Sequence, residues 1–244
     1  MQSPKTLARI AGLFYLTLVV LPLFAQAVRT SIVVPGNAAA TAGNIRASAA
    51  LFRLSFVSDL TASVSFLLTA MALYLLLKHV NPLVAAAMVV FVVASVAEGS
   101  LNLLNQYTAL TIATSDVYVH TFGKAGSDAL TLLFADMQNN GSRLGAIFFG
   151  PWLVPLGYLV IRSGYFPKVL GVVLIIGCFG YLATLYTTFL APNAPSAIAT
   201  LLILVGGIPE IVFMGWLLVK GVRVPAGTAP LAPASAVDQS VVDG

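Results

Sequence analysis

The sequence predicts an all-α membrane protein, a polytopic bundle of six transmembrane helices with both termini in the cytoplasm. Hydrophobic residues make up 59% of the 244 residues, and charged residues make up only 8%. Soluble domains carry about a quarter charged residues, so this chain has too few to cover a surface that faces water. Most of its residues must therefore face lipid or the interior of a membrane domain.

Six stretches are long and apolar enough to cross a hydrocarbon core about 30 Å thick, which takes roughly 20 helical residues. They lie near residues 7–28, 51–77, 83–105, 144–161, 169–190 and 197–219. Residues 1–223 thus form one membrane domain, with long outer connections at 29–50 and 106–143. The remaining stretch, 224–244, is rich in Ala and Pro and is predicted to be a disordered cytoplasmic tail.

The positions of the basic residues predict the orientation. Seven of the 12 Lys and Arg residues lie in short segments at one set of helix ends: Lys5, Arg9, Lys78, Arg162, Lys168, Lys220 and Arg223. The other five lie in or beside the long connections: Arg29, Arg46, Arg53, Lys124 and Arg143. Short basic segments stay in the cytoplasm, whereas long loops cross despite their charge, so both termini are expected inside, in the inner (plasma) membrane. The scatter indicates contact with lipid headgroups and argues against a nucleic-acid partner.

Three acids fall inside predicted spans, where a charge is costly and usually faces a cavity or a partner. Asp59 and Glu98 lie roughly 12 and 10 Å below the same outer face, so they can meet at one level. Glu210 lies nearer the midplane. It follows the segment G-G-I-P at 206–209, which predicts a broken or kinked helix, and transporters build ion sites beside such breaks.

Polar residues three or four apart share one helix face. Such stripes run along the second span (Ser55, Asp59, Ser63) and the third span (Ser95, Glu98, Asn102, Asn105). They predict a hydrated pocket that opens outward, with basic counter-ions at the outer helix ends. The candidate binding residues are Arg53, Asp59, Glu98, Asn102, Arg143 and Glu210. The alternative is that these groups pair only with one another and hold the bundle together.

Several chemistries are excluded by what the sequence lacks. The two histidines, His79 and His120, fall in connections, which argues against a haem within the bundle and against a Ser/His dyad. There is no H-E-x-x-H, no G-K-[ST] and no G-x-G-x-x-G. A single cysteine, Cys178, permits no internal disulfide and no thiolate cluster. We therefore predict no catalytic residues, no metal and no cofactor.

The segments outside the main spans carry local signals. Pro35, Gly36 and Asn37 form a turn and an N-cap before an Ala-rich stretch that is predicted to be a short interfacial helix. A second capped helix is predicted from Ser127 to near Gly141. The first span also resembles a signal peptide with an A-x-A site at 25–27, but its length favours an uncleaved helix.

Several phrases of the sequence resemble a known family when taken together. The most specific are F-F-G at 148–150, L-G-Y-L at 156–159 and R-S-G-Y-F-P-K-V-L-G at 162–171, after V-V-P-G-N-A-A-A-T-A at 33–42. From about residue 5 to about residue 223 the chain is similar to the DUF4386 family of bacterial integral membrane proteins. The resemblance implies that the first span is retained. The positions that match the family pattern are Arg53, Asp59, Asn102, Gly150, Arg162 and Glu210. Many relatives have a His where this chain has Gln138 or Trp152, which weakens a metal or acid–base role there.

Three classes of function stay open. The first is a non-catalytic membrane component that acts in envelope sensing or as a subunit of a membrane protein partner. The second is binding or transport of a small molecule or ion through the outward pocket, with Glu210 as a proton site. The third is an intramembrane enzyme that acts on lipid, since paired carboxylates can do acid–base work, although no nucleophile is evident.

Overall fold

The structure is a computed structural model that describes residues 3–223, and within this range it is a bundle of α-helices. Six helical segments are long and apolar enough to cross a membrane, which confirms the predicted number. The helices are α1 (Pro4–Ile32), α2 (Ala38–Ala47), α3 (Ala49–Leu77), α4 (Pro82–Thr114), α5 (Asp116–Leu144), α6 (Ala146–Phe149), α7 (Leu153–Arg162), α8 (Lys168–Leu190) and α9 (Ser196–Val219). The predicted tail at 224–244 lies outside the described residues.

The segment 106–143, predicted as an outer connection with one capped helix, is helical over nearly all of its length. Helix α4 continues to Thr114, and α5 begins at Asp116. We took the polar residue Gln106 as the start of the connection, but it lies within α4, and its Nε2 donates to Oγ of Ser55 on α3 at 2.8 Å. A polar side chain with such a partner is tolerated inside a span. The fourth membrane crossing thus belongs to a longer helical stretch, Asp116–Arg162.

Helix α5 also differs from the capped helix that we predicted at Ser127. Its backbone departs from helical geometry at Gly123, with φ at 70°, a conformation that glycine adopts without steric cost. The helix continues beyond Gly141 to Leu144. Asp128 does not cap a helix; it accepts from Lys124 at 2.7 Å and from Arg46 at 3.2 Å.

The short helix predicted in the first long connection is confirmed. Gly36 has φ at 72°, and Asn37 caps α2 by accepting from the backbone nitrogen of Ala40 at 3.0 Å. Helix α2 packs on α4 and α5. The ion pair between Arg46 and Asp128 therefore links the two outer connections.

The core lies where α1 packs against α3 and α9 and where α7 and α8 close the other side. The largest fully buried side chains include Trp152, Tyr15 and Phe213. Helices α7 and α8 approach most closely at two glycines. A methyl group on Gly157 or Gly171 would lie 2.5 or 2.4 Å from the carbonyl oxygen of the other glycine, so larger residues do not fit. Both glycines fall in phrases that carry the family resemblance.

The two ends of the bundle differ in charge. At one end the C-terminal part of α9 returns to the start of α1, and the backbone nitrogen of Arg223 donates to the carbonyl oxygen of Tyr165 at 3.0 Å. The seven basic residues of the short segments belong to this end. That this end is cytoplasmic stays a prediction.

Candidate functional site

A cavity of about 330 Å³ lies between α1, α3, α4 and the α5–α6 junction, in the half of the bundle near α2. We call it the central cavity. Its polar lining residues are Arg29, Asp59, Ser63, Ser95, Glu98, Asn102, Gln138, Ser142 and Tyr181. Its apolar wall includes Leu18, Pro22, Phe66 and Phe149. The structure thus brings Asp59, Glu98 and Asn102 to one space, while their role in binding stays a prediction.

Asp59 forms an ion pair with Arg29 of α1. The two side chains are only 14% and 12% exposed, respectively. Arg29 also donates to Oε1 of Gln106 and to Oε1 of Gln26, both at 3.2 Å. This corner therefore joins α1, α3 and α4 through one guanidinium group.

Our prediction that Arg53 and Arg143 are the counter-ions of the pocket was wrong for Asp59, which pairs with Arg29. Arg53 is exposed and lies six residues before Asp59, which puts it on a different face of α3. Arg143 is exposed too, and it lines a neighbouring cavity instead. We missed Arg29 because we placed it in a connection, whereas α1 continues to Ile32. The spacing of three between Gln26 and Arg29 could have indicated that both side chains lie on one face of a continued α1.

Glu98 is half-buried, and its carboxylate faces the central cavity at the α5–α6 junction. Its Oε2 lies so close to Gly145 that a Cβ there would be 2.5 Å away. The ion pairs among residues 3–223 involve Asp59 and Asp128, and none involves Glu98. The cavity therefore holds two carboxylates and a single guanidinium group.

Asn102 sits one turn from Glu98 and is held from α5. Its Nδ2 donates to the carbonyl oxygen of Gln138 at 2.9 Å and to Oγ of Ser142 at 3.2 Å. A Cβ on Gly141 would lie 2.0 Å from Oδ1 of Asn102. The two glycines of the motif G-x-x-x-G, at 141 and 145, thus make room for the two polar side chains of α4.

A second cavity, of about 430 Å³, adjoins the first and also contains Val33 and Pro35 of the first outer connection. We call it the outer cavity. It shares Arg29 and Gln138 with the central cavity. Its charged lining residues are Arg29, Arg143 and Asp136, so its wall has an excess of positive charge.

Glu210 lies apart from the central cavity, deep in the bundle and 4% exposed. Oη of Tyr15 donates to its Oε2 at 2.5 Å, and Oη of Tyr181 donates to its Oε1 at 2.6 Å. We predicted a break or a kink before Glu210; the break is absent, since α9 runs through Pro209. A proline removes one backbone hydrogen bond, and membrane helices tolerate this where neighbours pack closely.

A third cavity, of about 400 Å³, lies beside Glu210 between α1 and α9. We call it the lateral cavity. Tyr15, Tyr181 and Glu210 are its polar lining residues, and apart from Gly207 the rest are apolar side chains. Sequence reasoning missed it because it depends on how far two helices separate.

The model of the family described as "Domain of unknown function (DUF4386)" matches residues 10–221 of the chain. The chain belongs to this family. The match contains all of the cavity residues described above. An uncharacterized protein from Archaeoglobus fulgidus is 37% identical to this family member over 78 residues, which is 32% of the chain. The chain spans 44% of that relative's length. No solved structure matches the chain.

The two positions where the resemblance implied a departure from the family fall in different surroundings. Gln138 lines the central cavity, and its Nε2 donates to Oγ of Ser142 at 3.0 Å. Trp152 is fully buried in the core, where its ring packs against Phe66 with 5.0 Å between centroids. Within residues 3–223, no three His, Cys, Asp or Glu side chains come together as a metal site would need.

Proposed function

We propose that this multi-pass membrane protein is a non-catalytic component that binds a small organic cation in the central cavity, as a sensor or as part of a transport system. The proposal rests on the charged residues that line the central cavity. The lining holds two carboxyl groups, those of Glu98 and Asp59, and a single guanidinium group, that of Arg29. When both carboxyl groups are ionised, a bound monovalent cation makes the lining neutral.

The energetics favour a cation over an empty cavity. An ionised carboxylate that is removed from water and left without a partner is strongly destabilised. Asp59 already has its guanidinium partner. The interaction with Glu98 should therefore contribute most to the binding free energy of a cationic ligand.

The apolar part of the lining favours an organic cation over a metal ion. Phe66, Phe149 and Tyr181 provide aromatic surfaces, and such rings attract alkylammonium groups. The cavity volume of about 330 Å³ is at the small end of typical ligand pockets. If the more basic end is cytoplasmic, the cavity lies in the outer half of the inner membrane.

The test uses tetramethylammonium as the probe and the purified protein in lipid nanodiscs. Binding is followed through the fluorescence of Trp152, which packs against Phe66 of the cavity wall. Trp216 is replaced by Phe in every variant, because it lies at the other end of the bundle beside Lys220. We expect saturable binding that Glu98→Gln reduces at least about tenfold, the loss of one charge interaction in a partly buried site.

Asp116→Asn is the matched control, since it removes the same charge at an exposed position outside the cavities. We expect it to bind tetramethylammonium like the parent. The proposal fails if the parent shows no saturable binding, or if Glu98→Gln and Asp116→Asn bind equally well.

A further inference from the structure

We propose that the cation is amphiphilic: its charged group binds at Glu98, and its hydrocarbon chain occupies the lateral cavity and enters from the membrane. This inference rests on the proposed function and specifies the ligand class. It is carried by the position of the lateral cavity, by its contact with the central cavity and by the charge of the water-facing route.

The lateral cavity opens at the side of the bundle between α1 and α9. Helices α1 and α9 touch near Gly12, where a Cβ would lie 3.0 Å from the side chain of Leu218, and at Tyr15, which binds Glu210. Toward the α2 end of the bundle they separate. The apolar lining residues at the rim of the gap are about half exposed: Leu23, Ile203, Leu204, Ile208 and Ile211. In a membrane, an apolar opening between two spanning helices faces the hydrocarbon core.

The lateral and central cavities adjoin at a common wall. Leu18, Pro22, Phe149 and Tyr181 line both of them. The Tyr181 ring meets the Phe149 ring edge-on, with 5.1 Å between centroids, and its Oη is held by Glu210. A ligand whose chain lies along this wall can therefore place its charged end near Glu98 without leaving apolar contact.

The route from water is less favourable for a cation. The outer cavity is lined by Arg29 and Arg143 against Asp136 alone, so a cation that approaches through it meets an excess of like charge. The lateral cavity contains one ionisable acid, Glu210, and no basic residue among its described lining. The charge distribution thus favours entry from the membrane over entry from water.

The experiment measures the affinity of tetramethylammonium, butyltrimethylammonium and octyltrimethylammonium for the protein in nanodiscs, with titrations of empty nanodiscs subtracted. Gly207→Leu fills the lateral cavity, since a Cβ at Gly207 meets only Oη of Tyr181, at 3.8 Å. Gly215→Leu is the matched control, because it lies on the same helix outside the cavity and with open space around it.

We expect the affinity of the parent to rise roughly tenfold or more from the butyl to the octyl compound, since each buried methylene contributes favourably. In Gly207→Leu this gain should disappear while tetramethylammonium binds as before. Gly215→Leu should keep the full gain.

The outcomes separate this inference from the proposed function. If tetramethylammonium binds at Glu98 but Gly207→Leu keeps the full gain with chain length, the chain does not use the lateral cavity and the inference is overturned. If no ammonium compound binds, the proposed function itself fails. Should Gly207→Leu not fold, Leu204→Trp narrows the same cavity, and Val212→Trp, equally exposed on α9 but outside the lining, replaces the control.

Discussion

Replacing Gly141 by Ala tests how the α4–α5 contact seats the polar residues of the central cavity. The new methyl carbon would lie 2.0 Å from Oδ1 of Asn102. Non-bonded heavy atoms sit about 3.5 Å apart, so the Asn102 side chain must withdraw by about 1.5 Å. That movement breaks the hydrogen bonds that its Nδ2 donates to the carbonyl oxygen of Gln138 and to Oγ of Ser142, and the one that its Oδ1 accepts from Nδ2 of Asn105.

The expected magnitude follows from two opposing effects. Three lost hydrogen bonds destabilise the fold by about 3 kcal/mol in total. Alanine in a helix stabilises it by about 1 kcal/mol relative to glycine. Gly141→Ala should therefore lower the free energy of unfolding by about 2 kcal/mol, the difference of these two effects.

The double variant Asn102→Ala/Gly141→Ala gives the decisive comparison, because in the Asn102→Ala background the expected effect of Gly141→Ala on stability has the opposite sign. With Asn102→Ala already present, neither the clash nor the hydrogen bonds exist, so adding Gly141→Ala should stabilise by about 1 kcal/mol. The assay is reversible unfolding in mixed detergent and SDS micelles, followed by helical circular dichroism. Gly215→Ala, at a site with open space, should stabilise in both backgrounds. Equal destabilisation by Gly141→Ala with and without Asn102 would refute the reasoning.

Two further predictions concern the ion pair and the hydrogen bonds of the bundle and use the same unfolding assay. Asp59→Asn leaves the guanidinium group of Arg29 without its carboxylate. It should lower the free energy of unfolding by about 3 kcal/mol, the low end for breaking a buried pair. A smaller loss of stability than that caused by Asp116→Asn would show that the pair is not needed for stability. Tyr15→Phe removes one hydrogen-bond donor to Glu210 and should lower the free energy of unfolding by about 1 kcal/mol, the size of an interhelical hydrogen bond in a membrane. An unchanged midpoint of the unfolding transition would contradict a stabilising role of this bond.

Sequence patterns predicted some features of the polar pocket and not others. The spacing of Asp59 along α3 and of Glu98 and Asn102 along α4 is fixed by helix geometry, so their common depth could be predicted. Helix periodicity puts Arg53 on a different face of α3 from Asp59, but no pattern along the chain shows that Arg29 of α1 faces Asp59. Only the rotation of α1 against α3 places Arg29 beside Asp59.

The separation of Glu210 from the other acids was equally beyond the sequence. Its helix was expected to break or kink at Pro209, yet α9 is continuous there, and α8 packs closely on Gly206 nearby. The two tyrosines that bind Glu210 are 195 and 29 residues away in the chain. No local pattern indicates which hydroxyl groups reach a buried carboxyl group.

The sequence by itself determined the six crossings, the short capped helix after Asn37 and the family, because hydropathy, capping and motif order act along the chain. The tertiary structure alone decided the partner of Asp59, the seating of Glu98 and Asn102 on the glycines of α5, and the three adjoining cavities. These depend on the rotation and separation of neighbouring helices. In a membrane, where lipid and apolar side chains attract a helix face about equally, small residues and polar contacts set that arrangement.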